Sequence, residues 1–71
     1  MDHLDPVVRA IVIARREQKV TQAQLAELAG VSRRAIVMIE AGSVCSLSTL
    51  RRMTTALGME IEARTFAPPT L

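Results

Sequence analysis

Seven apolar residues crowd positions 7–14: Val7, Val8, Ala10, Ile11, Val12, Ile13 and Ala14. They predict a helix over about 6–18, capped by Asp5, with Pro6 at the first helical position, where a missing N–H is harmless. Residues 1–5 are expected to form a flexible N-terminus. A core stripe of Val7 or Val8, Ile11 and Ala14 leaves Val12 or Ile13 pointing outward. Either the helix is buried on more than one side or it exposes a patch for a partner; both readings stay open. Arg15, Arg16 and Glu17 close the helix, and Val20 is expected to pack beneath the next two helices. From residue 21 the apolar positions thin to Leu25, Ala26, Leu28 and Ala29, again at helical spacing. After Gly30, Val31 and Ser32, Ile36 and Ile39 share one face of the next helix, which Gly42 stops. Ser46 can cap a helix over 47–57, with Leu47, Leu50, Met53 and Leu57 inward and Arg51, Arg52 and Thr55 outward. Gly58 ends it. The period then falls to two across 59–66, with Glu60, Glu62 and Arg64 opposite Ile61, Ala63 and Thr65, the alternation of a half-buried strand. Pro68 and Pro69 make 67–71 a flexible tail.

The window 21–42 carries the most specific spacing. Thr21 and Gln24, three residues apart, form a capping box, each side chain satisfying a backbone N–H near the other. Small Ala26 lets the second helix cross closely over the first. Gly30 supplies the left-handed residue of a tight turn. Leu25, Ala29, Val31, Ile36 and Ile39 fill the wedge between the helices. This is the pattern of a helix-turn-helix, whose second helix lies in the DNA major groove. An ordinary αα-hairpin shares the glycine, but not the whole set of constraints.

A lone strand leaves N–H and C=O groups unpaired along both edges. The simplest mate for 59–66 is the same strand of a second copy, giving a two-fold antiparallel pair with Ile61, Ala63 and Thr65 at the dimer contact. A frayed extended tail is the alternative.

The 71 residues make one small domain, near the size at which a single core is marginally stable, so self-association would help. Phe66 is the only aromatic residue, so the core is aliphatic. The net charge of +2 is compatible with a nucleic-acid partner. Cys45 is the only cysteine, which excludes a disulfide framework and a thiolate zinc cluster and fits a reducing cytoplasm. No signal peptide and no membrane-spanning run is visible.

Catalysis finds no support. His3 is the only histidine and lies in the terminus. Glu60 and Glu62 share a strand face without a pocket. No phosphate loop or metal-ligand spacing occurs, and no cofactor is implied.

The run TQ…LA…GVS…I…IE.G, with Arg15 before it and SLSTL…ALG after it, resembles the Xre-type (lambda/434-repressor-like) helix-turn-helix family. The resemblance covers about 8–58. It implies an all-α, four-helix domain over 6–58, here followed by one C-terminal β-strand pairing across a dimer. The order of elements and the size look more narrowly like HipB-type antitoxin-repressors, which would add a kinase-like toxin as protein partner. The resemblance further implies that Gln22 donates to a phosphate. It implies that Ser32, Arg33, Arg34, Val37 and Met38 read bases, and that Arg15 pairs with Glu40. Relatives often carry Gln, Asn or Ser where this chain has Arg33, Arg34, Val37 and Met38, so no target sequence carries over.

The residue chemistry points the same way. An arginine at the head of the recognition helix can bind a guanine edge bidentately, worth about 1–3 kcal/mol of discrimination, or clamp a phosphate, which positions without specifying. One of Arg33 and Arg34 is expected in each role. Val37, one turn after Arg33, can touch a thymine methyl or pack inward. Gln22 and the N–H groups at the helix starts can bind phosphate. Arg51 and Arg52 read as a solvated face. Two function classes remain: a dimeric repressor of double-stranded DNA with an inverted-repeat operator, either antitoxin or stand-alone regulator, and a protein-interaction module without DNA binding. A module of the second kind has no evident use for two arginines at that helix start.

Overall fold

A computed structural model describes residues 4–59. Four α-helices follow one another: α1 Pro6–Glu17, α2 Gln22–Ala29, α3 Arg33–Glu40 and α4 Leu47–Ala56. Every start is built by a side-chain oxygen: those of Asp5, Thr21, Ser32 and Ser46 each accept a first-turn backbone N–H. At α2 the cap is reciprocal: the Gln24 N–H donates to Thr21 Oγ1 at 3.0 Å and the Thr21 N–H to Gln24 Oε1 at 2.8 Å.

The helix ends share one device. The N–H of Val20 donates to the Arg15 carbonyl, Val31 to Ala26, Ser43 to Met38 and Met59 to Thr54, each reaching back five residues. The residue before each donor has a left-handed backbone: Lys19 at φ 57°, Gly30 at 71°, Gly42 at 108° and Gly58 at 69°. Only Lys19 adopts this conformation with a side chain that disfavours it.

Ile11, Leu25, Ile36 and Met53, one from each helix, are fully buried at the centre. Leu4, Val8, Val12, Ala26, Ala29, Ile39 and Leu57 complete the core. α3 and α4 both pack on α2, and α1 packs on α3 and α4. Ala26, with no side chain beyond Cβ, sits buried in α2, the helix on which α3 packs.

Several sequence expectations need correction. Leu4 is buried rather than part of a loose end, and with Val8, Ile39 and Leu50 it lines a cleft between α1, α3 and α4. Burying a leucine is worth about 1.5–3 kcal/mol over exposing it, which holds this end of the chain down. In α1 the outward position, left open between Val12 and Ile13, is taken by Ile13 as one of the two expected alternatives, and Val12 joins the core. Leu28, counted in the apolar repeat of α2, is 62% exposed. Leu47 is exposed because it lies roughly 90° around α4 from the line through Leu50, Met53 and Leu57. Thr54 is buried instead, its hydroxyl donating to the Arg51 carbonyl at 3.0 Å. α1 and α4 each end one residue earlier than expected, with Gln18 and Leu57 as caps. Met59 packs against the core. The rest of the expected strand 59–66, with Ile61, Ala63 and Thr65, and the tail 67–71 lie outside the described residues, as do residues 1–3. Among the described residues no helix is long and apolar enough to cross a membrane.

Candidate nucleic-acid interface

α3 has two unlike faces. Ile36 and Ile39 pin one face to the core. Arg33, Arg34, Val37 and Met38 lie on the other, with Val37 40% and Met38 46% exposed. Among the described residues neither Arg33 nor Arg34 is held by a carboxylate or a hydrogen bond to its side chain. Arg33 and Val37 stand one turn apart on the same line. Ser32 is spent partly on structure, its Oγ accepting the Ala35 N–H at 3.0 Å, which leaves its hydroxyl proton available to donate. The structure therefore gathers the five expected reading residues on one exposed surface at the start and outer face of α3.

Behind that surface lies a buried polar network. Arg15 Nε donates to Glu40 Oε2 at 2.7 Å and Arg15 Nη2 donates to Glu40 Oε1 at 2.9 Å, a side-on bidentate pair. The two side chains are only 11% and 7% exposed. Arg15 Nη1 also donates to the Val20 carbonyl at 2.8 Å, so the guanidinium ties α1, the turn after it and the end of α3. Gln22, the first residue of α2, joins from the third side: its Nε2 donates to Glu40 Oε1 at 3.2 Å. Gln22 is thus half-buried and partly engaged within the fold.

The Gln22–Glu40 bond escaped the sequence reading because no periodicity connects residues in different helices. The bond from Gln18 Nε2 to the Leu57 carbonyl at 2.8 Å, which ties the end of α1 to the end of α4, escaped it for the same reason. Arg51 and Arg52 are exposed on α4, beside a groove formed with Ala29, Leu47, Ser48 and Thr55. Cys45 is half-buried between α3 and α4, and burial together with the Asp5 carboxylate raises its thiol above the ordinary value. A raised thiol stays protonated near neutral pH and is a poor nucleophile. Among the described residues no three metal-ligating side chains come together.

A family description, helix-turn-helix (HTH_3), matches residues 11–63, most of the chain. It points to sequence-specific DNA binding and regulation of transcription and to a family without catalytic activity. It does not separate HipB-type antitoxins from other members. No curated protein matches the chain.

Proposed function

We propose, from the premise that the chain belongs to the Xre/Cro-type helix-turn-helix family, that it is a transcriptional repressor binding an inverted-repeat operator as a homodimer. The outer face of α3 carries this reading: two arginines in its first turn, with Val37 and Met38 beside them, none of them used by the core. In a helix-turn-helix the N-terminal residues of the second helix contact base edges in the major groove. One arginine takes a guanine edge and the other a phosphate, while Val37 meets a thymine methyl. Gln22 and the free N–H groups at the start of α2 take a phosphate. Pairing of 59–66 with its copy, through Ile61, Ala63 and Thr65, would set two recognition helices about 34 Å apart. The narrower assignment, a cytoplasmic antitoxin with a kinase-like toxin partner, rests on the sequence resemblance to HipB-type proteins alone.

Mobility shift on the protein's own upstream DNA and on a random duplex, across a salt series, tests the reading. Tighter binding to the upstream DNA is expected, falling steeply with salt. Equal affinity for both duplexes would exclude a sequence-specific regulator. No binding to either would favour the interaction-module reading, for which exposed Ile13 and Leu28 offer apolar contact.

A further inference from the structure

We propose that Glu40, besides pairing with Arg15, is a positioning residue for the phosphate contact of Gln22. The proposal rests on the DNA-binding reading above. A carboxylate only accepts hydrogen bonds, so the contact at 3.2 Å requires the Gln22 amide to turn its NH2 toward Glu40. That orientation uses one amide proton and leaves the second for another acceptor. Gln22 opens α2, where the backbone N–H groups of the first turn gather favourable potential for an anion. Glu40 is itself fixed: both its oxygens are held by Arg15, whose third donor is anchored on the Val20 carbonyl. Its side chain is 7% exposed, and the guanidinium cancels a charge that would otherwise repel a phosphate. The chain from Val20 through Arg15 and Glu40 to Gln22 therefore holds a surface amide in one orientation before any ligand arrives. Without Glu40 that amide is free to rotate, and ordering it costs side-chain entropy on binding.

The test uses fluorescence anisotropy with a random-sequence 20-base-pair duplex, because a phosphate contact does not depend on sequence. Four proteins are compared: the parent, Gln22→Ala, Arg15→Met/Glu40→Leu, and the triple variant. Replacing both charges with apolar side chains of similar size avoids stranding either one. Gln22→Ala and the double variant should each bind about fivefold more weakly, the worth of one neutral hydrogen bond. The triple variant should lose no more than the double, and the slope of log affinity against log salt should stay unchanged, since Gln22 is neutral. Losses that multiply to about 25-fold in the triple variant would mean that Glu40 acts only through the fold. A double variant that binds like the parent would also overturn the proposal. If the parent binds neither this duplex nor its own upstream DNA, the DNA-binding reading itself fails. Should the double variant not fold, the Gln22 side-chain amide is followed by NMR in the parent, assigned with Gln22→Ala. One proton should shift on adding the duplex while its mate stays slow to exchange; two protons that shift and average together would refute the positioning role.

Discussion

Arg15 and Glu40, 25 residues apart in the chain, meet in a bidentate pair of 2.7 and 2.9 Å at the junction of α1, α2 and α3. Breaking such a pair from one side leaves a buried charge without a partner, whereas replacing both sides removes the desolvation cost as well. Arg15→Met alone or Glu40→Leu alone should each cost about 3 kcal/mol. For a domain this small that lowers the melting temperature by about 10 °C or more. Arg15→Met/Glu40→Leu should melt closer to the parent than either single variant. Single variants that melt like the parent would show that the pair contributes nothing to stability.

The residues that fix the local turns were legible because their signals lie within a few positions. Thr21 and Gln24, Gly30, and the caps Ser32 and Ser46 stand where their side-chain chemistry places them. The reading set Ser32, Arg33, Arg34, Val37 and Met38 came from the family resemblance; the fold adds that Ile36 and Ile39 occupy the core side of α3 and leave those residues exposed. Contacts between distant helices carry no local signal: the Arg15–Glu40 pair was expected only through the family resemblance, and two others were not expected at all. Gln18 to the Leu57 carbonyl and Gln22 to Glu40 span 39 and 18 residues and have no period to reveal them. Leu47 misled because the two successive three-residue steps to Leu50 and Met53 each turn back about 60° around the helix axis, which carries Leu47 off the buried line. Lys19 hid a left-handed turn that glycine announces at the other three helix ends.

That contrast can be measured. Lys19→Gly should raise stability or leave it unchanged, because relief of a conformation costing about 1–2 kcal/mol offsets the added freedom of the unfolded chain. Gly30→Ala should lower stability by about 1 kcal/mol through backbone strain alone, since a Cβ there would meet nothing within 4 Å. Urea midpoints at constant m-value report both. A destabilised Lys19→Gly would mean that the lysine side chain makes a compensating contact.

The thiol of Cys45 gives a pH signature. Its folded value lies above the ordinary one, so the folded chain holds the proton longer than the unfolded chain does. The associated stability is fully present below the unfolded thiol value, about 8.5, and declines as pH rises from there through the higher folded value. Cys45→Ser should remove that alkaline decline. Identical slopes for parent and variant between pH 8 and 10, on the order of the thiol range, would show that the thiol is not perturbed.

The proposed dimer is tested by truncation. Met59 packs on the core and donates to the Thr54 carbonyl at 2.8 Å, so the chain is best cut after it rather than before. Sedimentation should show the parent as a dimer and the shortened chain as a monomer, with operator affinity sharply reduced. A shortened chain that stays dimeric would move the interface elsewhere, and outward-facing Ile13 of α1 is the first place to look.

Binding of Arg33→Ala and Arg34→Ala to the operator and to random DNA, over a salt series, tests most directly whether the outer face of α3 reads sequence. Both variants should fold like the parent, since both arginines are exposed and unpaired among the described residues. One should lose discrimination by about 1–3 kcal/mol. The other should weaken on both duplexes alike, with a salt slope shallower by about one. Operator binding by both variants at the parent's affinity and selectivity would contradict the assignment of α3 as the recognition helix.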